Sequence, residues 1–252
     1  MKKCIYFLLL SLLIASCSND RKKRNTHEHA VDRSTEGQDT VSISANEQEG
    51  IKDITNFYGG ECRHMIGKTL DAGRRYFEVE VSNSESIENT KSMIGLTASN
   101  MACMIYQNLQ GEKGKYDEIR VRIILKDGQK VEQGYPVSSL ALVIAKMRIV
   151  QMVVNLLKEK NYSKLETMLN NKSSIAEYSK SQLISEIKKA DASLGNVEMF
   201  APYGYAFYKS DNGKPILRIS GVLKRDKQNN EFSVVLDPES NKDEILMINY
   251  KL

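Results

Sequence analysis

The chain has 252 residues, 36 Lys and Arg against 32 Asp and Glu for a formal charge of +4, and 41% hydrophobic residues with no tryptophan. That length admits a leader followed by either one large domain or two small ones. The near-balanced charge, with one dense basic cluster near the N-terminus, argues against nucleic acid as a partner, and two of the three histidines fall in the polar stretch before residue 50, which leaves almost no material for a multi-His metal site.

Lys2-Lys3 precede an apolar run from Ile5 to Ala15, which ends in Ile14-Ala15-Ser16-Cys17. The run suits the h-region of an export signal and is too short to span a bilayer. This stretch resembles a bacterial lipoprotein signal peptide with its lipobox. The resemblance implies removal of residues 1–16 and lipid on the sulfur and amino group of Cys17, so that the membrane becomes a partner through that lipid. It also implies a place in the bacterial cell envelope, facing the periplasm or the exterior. Ser18 and Asn19 lack the aspartate that commonly retains lipoproteins in the inner membrane, so resemblance to known sorting signals favours the outer membrane.

Residues 17–50 are polar and, past Cys17, hold no aromatic residue, the composition of a disordered tether. Arg21-Lys22-Lys23-Arg24 lies close enough to the anchor to touch anionic headgroups, at about 1 kcal/mol per charge, or is simply solvated. His27 and His29 supply neither the geometry nor the ligand number for a metal. With Cys4 lost and Cys17 acylated, Cys62 and Cys103 remain. In an oxidising compartment they are candidates for a disulfide. The alternative for Cys103, within an apolar helical run, is a small buried hydrophobe.

The first folded module is expected over 51–136. Phe77, Val79 and Val81 alternate with Tyr76, Glu78 and Glu80, predicting a half-buried strand. Ile94, Ala98, Met101, Ala102, Ile105 and Leu109 draw one stripe on a helix from about Ile87 to Leu109. Ile119, Val121, Ile123 and Leu125 predict a second strand, and Lys126-Asp127-Gly128-Gln129 a tight turn into a short strand at 130–135. The sum is a β-α-β-β module.

The second module is expected over 137–252. A long helix from Ser139 to about Lys160 carries apolar residues on more than one face and must be covered on both sides, while Lys146, Arg148 and Gln151 argue against membrane insertion. Helices at 162–169 and 180–190 follow, then four strands at 197–208, 215–225, 231–237 and 244–250 in an antiparallel meander. Asn161-Tyr162 with Leu165, Ser179 with Gln182-Leu183, Leu194-Gly195 and Ile248-Asn249-Tyr250 complete an order that resembles NTF2-like domains, in particular the uncharacterised ones of bacterial lipoproteins. The expected fold class is therefore α+β: a small β-α-β-β module, a long helix, and an NTF2-like module of three helices and a four-stranded antiparallel sheet. The resemblance covers about residues 140–252 and carries over no catalytic residue.

Chemical motifs are sparse. Gly67-Lys68-Thr69 ends like a P-loop, but the leading glycine is replaced by Cys62, which argues against a nucleotide. Cys62-Arg63-His64 lacks a third group to orient a base. The pairs Glu78 with Glu80 and Asp237 with Glu239 read as solvated carboxylates without a sugar-stacking platform. No catalytic residue, metal site or cofactor is therefore assigned. Tyr203, Tyr205 and Phe207, expected on one face of a strand, are the best candidates for contacting a ligand or partner, although such a stripe also suits a core. The leading expectation is a lipid-anchored, non-catalytic binding or accessory module for an envelope protein or small ligand. The alternatives are an enzyme using an NTF2-like pocket, with polar contacts from Tyr203, Tyr205 or Asp237, and an immunity-type lipoprotein that blocks a toxin.

Overall fold

The computed structural model describes residues 42–170, 179–210 and 212–251. Cys17, the signal segment, His27 and His29 lie outside them. The described residues belong to one compact unit of α+β architecture with two four-stranded sheets.

Order starts earlier than Ile51. Helix α1 (Ala45–Tyr58) is closed by a capping box, in which the Ser44 hydroxyl accepts from the Glu47 amide and the Glu47 carboxylate accepts from the Ser44 amide. Glu47 is buried and also takes Lys115 Nζ at 2.6 Å and Tyr116 Oη at 2.5 Å. Burial alone would raise its pKa, but these donors outweigh burial and hold it below the usual carboxylate range.

Strands β1 (Glu61–Lys68), β2 (Arg75–Ser82), β3 (Glu118–Ile124) and β4 (Lys130–Pro136) form the first sheet in that order. Strand β2 runs parallel to β3 and the outer pairs are antiparallel. The parallel step needs a crossover. It is made by α2 (Glu85–Asn89), a 3-10 turn at Lys91–Met93, and α3 (Ile94–Asn108), so the single helix expected over 87–109 is broken near its start. Residues Phe77, Val79, Val81, Ile119, Val121 and Ile123 bury the inner face.

The outer face of this sheet differs from the solvated one expected. Glu78 is 3% exposed. Arg122, on the neighbouring strand, reaches Glu78 at 3.0 Å, Glu80 at 3.3 Å and Glu132 at 2.9 Å, so the charges cover one another. Burial raises the Glu78 pKa, and Arg122 opposes that shift.

Helix α4 (Val137–Lys158) follows β4 directly, then α5 (Tyr162–Met168) and α6 (Lys180–Leu194). By length and composition α4 is apolar enough to cross a membrane. In this fold it packs against α3 and β4 and also against α5, β5 and β6, so elements of both sheets cover its apolar residues. Lys146 is buried within it and donates to the Ser240 carbonyl.

Strands β5 (Val197–Lys209), β6 (Pro215–Arg225), β7 (Asn230–Leu236) and β8 (Met247–Lys251) form the second sheet as an antiparallel meander. One hydrophobic cluster runs from Ile54 on α1 through α3 and α4 to Ile248 on β8, joining both sheets.

Candidate functional site

Strand β4 is an edge of the first sheet and β5 an edge of the second. Between them opens a cleft of about 500 Å³, lined by Gln133 to Pro136 on one wall and Tyr205 to Tyr208 on the other. Met93, Gly95, Leu96 and Ser99 around the start of α3, with Ser139 of α4, complete the lining, and Ser92 stands exposed at its rim.

Local chemistry brings β5 to α3. Gly204 has a φ of +152°, and a Cβ there would overlap the Leu96 carbonyl, so glycine is required for the approach. The Ser99 hydroxyl then accepts from the Tyr205 amide at 2.8 Å and donates to the Leu96 carbonyl at 2.8 Å. Tyr205 packs edge-to-face on Tyr135 and on Phe207, with ring centroids 6.1 and 5.8 Å apart. The Tyr135 phenol donates to Gln133 Oε1 at 2.5 Å.

Tyr205 is 6% exposed, and its hydroxyl is buried with no hydrogen-bond partner. Most buried polar atoms are paired, so an orphan hydroxyl marks a place where a water would be held. The same ring borders a second cavity of about 30 Å³ lined by Asn100, Cys103 and Gln107, a volume that suits one water. Burial pushes the Tyr205 phenol upward, with smaller contributions from Cys103 and Tyr135, so it stays a neutral donor at ordinary pH. Burial also pushes the Cys103 thiol up to about 12, which removes it as a nucleophile.

The lining of the cleft contains serines, a glutamine, tyrosines and apolar groups, and no carboxylate, imidazole, ammonium or guanidinium. General acid–base chemistry near neutral pH needs a group that titrates there. None of the lining groups supplies one.

The sequence candidates separate. Tyr205 and Phe207 line the cleft, but Tyr203 does not. The β5–β6 register slips between Pro202 and Gly204, making Tyr203 the extra residue of a bulge. Its electrostatic neighbours are Glu231 and Arg218. Strict alternation placed all three rings together, and a bulge breaks that alternation. Asp237 accepts from the Glu239 and Ser240 amides and closes a turn.

The bridge left open between Cys62 and Cys103 is not made. Both are free thiols: Cys62 on β1 accepts from Thr55 of α1 at 3.3 Å, while Cys103 on α3 borders the small cavity. His64 stacks on Phe77 with ring centroids 6.3 Å apart. Gly67-Lys68-Thr69 ends β1 and enters a reverse turn into β2, where Thr69 and Arg74 pair, so no helix follows as a P-loop requires. Among the described residues no group of three or more His, Cys, Asp or Glu could hold a metal ion.

A second buried polar group lies where α6 meets the second sheet. Arg225 is clamped by Asn230 at 2.8 Å, the Gly195 carbonyl at 2.6 Å and Asp191 at 2.6 Å, and Tyr162 donates to the other Asp191 oxygen at 2.9 Å. No buried polar side-chain atom of this cluster lacks a partner, so it is a structural clamp. The sequence showed neither it nor the β4 wall of the cleft, since both arise from residues distant along the chain.

Comparison with protein-family models, with curated proteins and with solved structures finds no match to this chain.

Proposed function

We propose that this chain is a lipid-anchored protein of the bacterial cell envelope whose folded part is a non-catalytic binding module, with the cleft between β4 and β5 as its site. The observation that carries the reading is the lining: aromatic rings and small polar groups, with no carboxylate, imidazole, ammonium or guanidinium. Such a lining suits recognition of an uncharged ligand or segment, since a charged one would be desolvated there without a counter-charge. The order of α4, α5 and α6 followed by the β5–β8 meander supports reading residues 137–252 as an NTF2-like half. Anchoring rests on the lipobox resemblance at Cys17, with the outer membrane favoured.

Two measurements test these two parts. Cys17→Ser is expected to release the protein from the membrane fraction, and unchanged retention would sink the anchoring. The neutral fluorophore N-phenyl-1-naphthylamine is expected to bind the purified protein. Ser92→Trp, at an exposed position on the rim, is expected to abolish that binding with an unchanged circular dichroism spectrum. Absence of any saturable binding would remove the cleft as a site.

A further inference from the structure

The backbone of the cleft walls narrows the kind of ligand. In an antiparallel ladder, alternate residues direct both their N–H and C=O toward the partner strand, and those between direct both outward. On β4, the Val137 amide bonds the Asp117 carbonyl and the Leu125 amide bonds the Gln129 carbonyl, both in the β3–β4 register. Odd-numbered residues of β4 therefore face β3, and Gly134 faces away. On β5, the Ser210 amide bonds the Lys214 carbonyl, whereas the Tyr205 amide turns to Ser99 of α3. In the unbroken register from Gly204 to Lys209, Phe207 therefore also faces outward.

Phe207 and Gly134 thus present main-chain donors and acceptors from two sheet edges, and both line the cleft. The two edges are not equally protected. Strand β4 carries Lys130, Glu132 and Pro136, residues that discourage added strands, whereas β5 has no charge or proline from Tyr203 to Tyr208, with Pro202 and Lys209 flanking that stretch. Strand β5 exposes Phe207 and Tyr208 at 41% and 45%, with Ala206 between Tyr205 and Phe207. An exposed aromatic edge with unpaired main-chain groups is the feature that strand addition uses.

Resting on the cleft as the binding site, we propose that its ligand is an extended, uncharged segment of a partner protein that adds as a strand to the free edge of β5. One residue of the segment would exchange both main-chain hydrogen bonds with Phe207. Alternate side chains of the segment would enter the space between Tyr135, Tyr205 and Phe207. The uncharged lining selects against Asp, Glu, Lys and Arg at those positions.

The test uses the detergent-solubilised mature protein and an acetylated, amidated hexapeptide of alternating Val and Thr with a neutral dye, read by fluorescence anisotropy. Phe207→Ala keeps the outward amide, and Phe207→Pro removes it without breaking a ladder bond. Phe207→Pro is expected to bind about tenfold more weakly than Phe207→Ala, as loss of a main-chain bond with an unpaired acceptor predicts. The same peptide N-methylated at alternate amides, in the frame that faces β5, is expected to lose about tenfold toward the unaltered protein, which tests the idea without touching the fold. Equal affinity in both comparisons would overturn strand addition. Failure of the peptide with retained binding of N-phenyl-1-naphthylamine would overturn this inference alone, whereas failure of both probes would also remove the cleft. Sedimentation showing a dimer that Phe207→Pro dissolves would identify a second copy as the occupant and overturn the partner.

Discussion

The clamp around Arg225 and the cleft around Tyr205 are both polar regions buried where helices meet the second sheet, yet they are finished differently. In the clamp, Arg225 is fully buried against Asp191, and carbonyl, amide and phenol groups take up the remaining valences. In the cleft, Tyr205 is nearly as buried, but its hydroxyl meets nothing. Complete pairing fastens α6 to the sheet. Incomplete pairing leaves the cost of an unmade hydrogen bond beside the cleft. On the binding reading proposed above, one region serves stability and the other recognition.

Three sets of substitutions sharpen or break this contrast, each read by urea denaturation at neutral pH. Asp191→Ala strips the counter-charge from Arg225 and is expected to cost about 3–5 kcal/mol. A cost below about 1 kcal/mol would show that the clamp is not a fastening. Gly204→Ala forces a Cβ against the Leu96 carbonyl, and is expected to cost about 1–3 kcal/mol. It should also weaken fluorophore binding, because β5 must move away from α3. The smallest and most discriminating effect comes from two phenols. Tyr162→Phe removes a bond to Asp191 and is expected to cost about 1 kcal/mol, whereas Tyr205→Phe removes a buried hydroxyl without a partner and is expected to raise stability by about 1 kcal/mol. Equal costs for the two would mean that the Tyr205 hydroxyl is already satisfied.

Much of the fold was legible. Alternation located β2 and β3, and the turns between its strands marked off the four-stranded meander to within a few residues. Helix α1 and strand β1 were missed for a physical reason. Both lie at the periphery, where few positions must be apolar, so periodicity is weak. One signal was present: Ser44 and Glu47 have the capping-box spacing that starts α1. The buried state of Glu78 was hidden because its partner Arg122 lies on a strand brought alongside only by the parallel crossover.

The candidate site was half legible. Tyr205 and Phe207 stood out as an aromatic stripe, but the bulge at Tyr203 was not visible, since a single inserted residue leaves the spacing of the rings unchanged. The opposite wall, Gln133 to Pro136, carries no motif.

Composition and periodicity determined that this is an α+β chain, that α4 must be covered on two sides, and that residue types for metal or histidine catalysis are scarce. These are properties of side chains read locally, which follow from where apolar groups must be buried. Tertiary structure alone decided that two sheet edges face each other across a cleft, that Arg225 is clamped, and that the Tyr205 hydroxyl is left unpaired. Those outcomes depend on which distant segments meet, and hydrogen-bond satisfaction is a property of that meeting rather than of any single stretch of chain.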